Sequence, residues 1–107
     1  MTPTDLLALV NDTSALGRST TLSRESGLRT LLLHLKADER IPEHQTRGTL
    51  TVQCLLGEAT FWMGTESVVL KQGSLISVPP SAPHSVAAQR DTLLLVTVRE
   101  QLGEDSN

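Results

Sequence analysis

Two imidazoles stand out as groups that could do chemistry together. His44 lies in a charged stretch, Asp38–Thr46, and His84 closes a proline-rich stretch, GSLISVPPSAPH, that starts at Gly73. Imidazole exchanges a proton near neutral pH and is the commonest metal ligand, so a pair of them can polarise, bind or move protons. Pro79 and Pro80 lack the backbone N–H that strand pairing needs, and each fixes φ. Pro83 pushes Ala82 toward extended geometry. The stretch is therefore expected to form a stiff corner that carries His84 into a barrel, opposite His44.

The other reactive side chains carry less. His34 sits mid-strand among leucines, where a histidine serves structure or a subunit contact more often than it ligates. Cys54 shares its strand parity with Leu50, Val52 and Leu56, which predicts an inward, inert thiol lining the interior. Gln53 has the opposite parity and faces outward on an unbroken strand. Only a bulge would bring its amide inward as an extra ligand. Asp38, Glu39 and Glu43 read as a solvated run beside His44. Ser81 and Ser85 flank His84, but no acid is in place to orient the imidazole toward a hydroxyl. A glycine-rich phosphate loop and a nucleophile elbow are both missing.

The elements that must position these groups follow from periodicity and turns. Thr2-Pro3 reads as a helix N-cap and first residue, with Leu6, Leu7, Leu9 and Val10 as the apolar stripe of a short helix ending near Asn11-Asp12. From Arg18 onward the pattern is β. Strands are expected at 19–23, 28–37, 49–56, 59–63, 67–71, 75–78, 85–88 and 92–99, with 38–46 as a loop. Turn signals separate them and no helix follows each strand, which excludes a parallel α/β fold. The expected fold is all-β, a double-sheet jelly roll (a double-stranded β-helix barrel) with a short N-terminal helix. Its 107 residues fit a single domain, 1–107, with 1–15 as helix and lead-in and 100–107 as a frayed tail.

Composition narrows the partners. A net charge of −3, one Trp, one Phe and no Tyr supply neither a basic field nor a base-stacking surface, so nucleic acid is not an expected partner. A single cysteine excludes an internal disulfide. The start, MTPTDLLALV, shows no basic leader or cleavage pattern, and no apolar run approaches a membrane span. A cytoplasmic protein without membrane contact is expected.

The spacing of these residues resembles the two signature motifs of the cupins, small jelly-roll barrels. Their first motif runs G, five residues, H-x-H, three or four residues, E, six residues, G. The second runs G, five residues, P-x-G, two residues, H, three residues, N. The first falls here on Asp38, His44, Thr46, Leu50 and Gly57; the second falls on Gly73, Pro79, Ser81, His84 and Ala88. His44, Gly57, Gly73, Pro79 and His84 match. A cupin of this pattern binds its metal through the histidines and the glutamate, so the resemblance implies a weak site at His44 and His84. Thr46 replaces the second histidine, and Leu50, which ligates nothing, replaces the glutamate. Gln45, between two inward motif positions, should point away.

The resemblance implies either one divalent ion (Zn, Ni, Fe, Mn or Cu) or no cofactor. Three functions follow. The leading expectation is an uncharacterised small cupin that binds a small molecule, a divalent metal or both. Its pocket would contain His44 and His84 and be lined by Thr46, Leu50, Val52 and Cys54. The alternatives are a metal-dependent enzyme of dioxygenase, isomerase or decarboxylase type and a non-catalytic dimeric structural or sensor domain. A homodimer is expected for all three, because small jelly rolls leave open sheet edges. Leu32, His34 or the N-terminal helix would be its contact surface.

Overall fold

The computed structural model describes residues 1–100 of the chain. One short helix, α1 (Leu6–Asn11), precedes nine strands: β1 (Ser19–Glu25), β2 (Leu28–Leu35), β3 (Arg40–His44), β4 (Thr49–Leu56), β5 (Glu58–Met63), β6 (Glu66–Lys71), β7 (Leu75–Val78), β8 (His84–Ala88) and β9 (Thr92–Arg99). The expected tail falls, after Glu100, outside the described residues.

The strands form two antiparallel sheets, one in the order β1-β2-β9-β4-β7 and the other β3-β8-β5-β6. This is the expected jelly roll. Alternation explains the layering: Leu50, Val52 and Cys54 of β4, with Leu94, Val96 and Val98 of β9, face Ala59, Phe61, Val86 and Ala88 across the interior. Aliphatic side chains dominate this core, as the near absence of aromatic residues requires.

Four local expectations are corrected. Helix α1 is capped by Asp5, whose carboxylate accepts from the Ala8 N–H at 3.1 Å, and not by Thr2. The stretch expected as a loop contains β3, which pairs with β8 at one edge of its sheet. Pro42 is tolerated there because an edge strand has a side that needs no ladder hydrogen bonds. In β4 a register shift between Cys54 and Leu56 breaks the alternation, so Leu56 leaves the core face. Lastly, Leu32 and His34 are buried within the chain and offer no surface to a partner.

That last correction reflects burial on both faces of β2 and β9. Leu31, Leu33 and Leu35 turn toward the interior, while Leu32, His34 and Leu93 are buried on the outer side. The segment after α1 is tied to that outer side: the His34 N–H donates to the Arg18 carbonyl, and Thr13 Oγ1 donates to Asp91.

Candidate functional site

The register of β3 on β8 sets His44 directly against His84. Their ring centroids are 4.2 Å apart with planes inclined by 62°, an edge-to-face contact. Phe61 of β5 stacks on His84 at 5.7 Å and 11°. His84 is buried, with 4% of its surface exposed, whereas His44 on the edge strand is open to solvent. Pro79, Pro80 and Pro83 thus deliver His84 as expected, at the first position of β8.

Each imidazole is oriented by the backbone just before it. His44 Nδ1 lies 2.9 Å from the Pro42 carbonyl, and His84 Nδ1 lies 2.9 Å from the Ala82 carbonyl. A carbonyl only accepts, so each Nδ1 carries a proton and donates it. In the neutral rings each Nε2 is left with a lone pair. Burial holds the His84 pKa below the ordinary imidazole value, and the neighbouring His44 lowers it further. The Ala82 hydrogen bond opposes this shift only in part.

Both rings border a cavity of about 250 Å³ between the sheets. Its walls are mostly aliphatic, with Leu31, Leu33, Leu50, Val52, Leu94 and Val96 on the five-stranded side. Thr46, Leu50 and Val52 are among the residues that border it. Cys54 is not. Its side chain is fully buried, with Sγ 3.4 Å from the Leu56 carbonyl, and burial raises the thiol pKa. Gln53 is exposed and absent from the lining, because the irregularity in β4 falls after it and leaves its outward parity intact. Gln45 is also exposed. His34 lies on the outer face, with Nε2 2.8 Å from the Asp91 carboxylate, and takes no part.

Among the lining residues that the sequence did not point to, two differ from the aliphatic rest. Phe61 is the aromatic plate beneath His84. Arg29 is, among the described residues, the one charged residue bordering an otherwise apolar wall. Its position two residues before Leu31 puts it on the same face as Leu31 and Leu33, which was the available signal.

As a resident metal site the arrangement is half complete. Metal-bound histidines commonly donate their second N–H to a carbonyl, and both imidazoles are held this way. However, among the described residues no cluster of three or more His, Cys, Asp or Glu side chains is placed to hold an ion. Two imidazoles and the neutral Thr46 hydroxyl do not make up a tight donor set for a divalent cation.

The backbone retains what the side chains have lost. Gly57 and Gly73 have φ of 93° and 95°. Asp38 and Ser81, at the other two motif glycine positions, have φ of 72° and 65° and are the only non-glycine residues of positive φ among those described. The left-handed backbone is thus present at all four positions, although two of them carry no glycine. At Gly57 the requirement is also steric, since an added Cβ would run into the Asp91 carbonyl and Thr92.

Two layered antiparallel sheets, glycine-type turns at these four positions and a histidine pair facing the interior define a jelly-roll barrel of the cupin class. The family profile for the cupin domain matches residues 31–98, and the chain belongs to that family. Solved structures agree. A cupin superfamily protein from Desulfitobacterium hafniense superposes with a TM-score of 0.75 at 19% identity, covering 78% of this chain and 76% of that one. A conserved protein of unknown function from Streptococcus pyogenes gives 0.73 at 25% identity, covering 78% and 73%. The DMSP lyase DddQ from Ruegeria pomeroyi gives 0.71 at 26% identity over 79% of this chain but only 47% of its own. No curated protein matches the sequence at a significant level. No helix among the described residues is long and apolar enough to cross a membrane.

Proposed function

We propose that this cupin is a small-molecule binding barrel, with His44 and His84 as the polar recognition point of an aliphatic pocket. The observation that carries this reading is the cavity between the sheets, bordered by two imidazoles whose Nε2 atoms are left to accept. Its 250 Å³ is the liquid volume of roughly eight waters. A ligand of that size fits, one that is mostly apolar and carries a hydroxyl or amine donor for the imidazoles. His84 positions that donor from a dry, stacked environment, and His44 completes the contact from the solvent side.

A second reading, a divalent ion held weakly by the two imidazoles, is favoured by one feature: both rings have the carbonyl-fixed orientation of metal-bound histidines. It would carry the alternative of a metal-dependent enzyme. We further propose that the protein is a cytoplasmic homodimer. The edge positions of β1 and β7 in their sheet and the exposed Leu75 support dimerisation.

Metal analysis of untagged protein, beside His44→Ala and His84→Ala, separates the two readings. No retained ion, together with small-molecule shifts of the His84 NMR signals, is the expected outcome. One equivalent of ion lost in both variants would replace the binding reading with the metal one. Analytical ultracentrifugation tests the dimer, and a monodisperse monomer at micromolar concentration would end that part.

A further inference from the structure

We propose that the ligand is a small carboxylate with an apolar body, and that Arg29 is the residue that recognises its charge. This deepens the binding reading and rests on it.

Arg29 lies on β2 with the inward parity of Leu31 and Leu33 and borders the same cavity as the two histidines. It pairs with Val98, which in turn pairs with Leu50, so the three form one row across the five-stranded sheet. Arg29 is therefore two strand spacings, about 10 Å along the backbone layer, from the position where the family pattern has its glutamate. Here Leu50 supplies no carboxylate, and none lines the cavity among the described residues.

The decisive atom is Arg29 Nε. It is buried, has no hydrogen-bond partner, and is the only such side-chain nitrogen or oxygen found among the described residues. Native proteins pair nearly all buried polar atoms, and an orphaned donor on a charged group is the least tolerable exception. Any ion brought between the sheets must also suit the charge already there. A guanidinium repels a cation and attracts a carboxylate through charge-assisted N–H donors. The aliphatic walls then select for an apolar body, and the imidazole lone pairs for a donor group elsewhere on the molecule. The polar features of the cavity thus fit an anion, whereas a metal fits only the histidines.

The test uses full-length protein in low-salt buffer, with hexanoate and its neutral counterpart hexanamide as probes. Binding is followed by calorimetry and by NMR of the cavity methyl groups. Hexanoate is expected to bind at least about tenfold more tightly than hexanamide, the scale of one charge-assisted pair. That preference should vanish in Arg29→Met and be partly kept in Arg29→Lys, which has the charge without the fork. Retained hexanamide binding in Arg29→Met shows that the variant is folded. Equal binding of both probes by wild type overturns the role of Arg29 and leaves the small-molecule pocket standing. Inorganic phosphate binding as well as hexanoate overturns the apolar-carboxylate assignment. Failure of both probes to shift any cavity methyl group overturns the pocket reading and this inference with it.

Discussion

Replacing Arg29 with methionine should make the protein more stable. A buried donor left without a partner costs about 1–3 kcal/mol, and Arg29 Nε is such a donor. Methionine keeps an unbranched apolar stem of similar reach, so packing against Leu31 and Val98 is largely retained. Part of the guanidinium reaches solvent or the cavity, so the expected net gain is nearer the lower limit, about 1 kcal/mol. In a domain of this length that corresponds to a rise in Tm of roughly 4 °C. Thermal melts beside urea titrations measure it: the urea midpoint should rise while the slope stays unchanged. Hexanoate at one fixed concentration should then raise the Tm of the wild type more than that of the variant, since a ligand stabilises the native state according to how tightly it binds it. A loss of 1 kcal/mol or more in the variant would refute the reasoning, because the guanidinium would then be contributing a bond to the fold.

Ser81→Gly should stabilise the corner before His84, since a non-glycine residue at φ 65° costs about 1–2 kcal/mol and glycine gives back part of that through its unfolded-state freedom. A Tm that falls in this variant would mean that the Ser81 side chain does more than tolerate the turn. Thr46→His with Leu50→Glu should raise Zn²⁺ affinity sharply by calorimetry, whereas unchanged affinity would show that neither position faces the imidazoles productively. Cys54, with its pKa raised by burial, should resist iodoacetamide at pH 8 until the protein is unfolded. Because the folded pKa lies above the unfolded one, this thiol favours the native state fully below the ordinary thiol value near 9. That contribution fades as the pH rises through the folded value. Urea titrations from pH 7 to 10 should therefore show a decline that Cys54→Ala lacks.

The barrel was legible in the sequence because its signals are local: alternation in β4 and β9, glycines at turns, and prolines where pairing stops. What stayed hidden depended on neighbours. The leucine run in β2 is ambiguous by parity alone, since a strand covered on both sides has no polar face to reveal its orientation. The charged, proline-bearing β3 resembles a loop because an edge strand needs neither burial nor a full ladder. Gln53 was correctly placed outward by parity, but the same rule put Leu56 inside, and one irregularity in the strand undid that. Arg29 was passed over because its residue type belongs at surfaces, although its parity placed it with Leu31 and Leu33. The histidine pair was found through its spacing, whereas its orientation depends on the Pro42 and Ala82 carbonyls, which no motif encodes.

The cavity draws its polar groups from both layers, the imidazoles from β3 and β8 and the guanidinium from β2. A molecule held at both places would act as a rivet, tying two sheets that otherwise meet mainly through aliphatic side chains. Its departure would let the layers slide or breathe against each other without breaking a single strand pair. Ligand occupancy would therefore be transmitted to the outer edges of the barrel as a change in stiffness. Slower amide exchange in β2 and β8 together, and not in either alone, would be the mark of an occupied barrel.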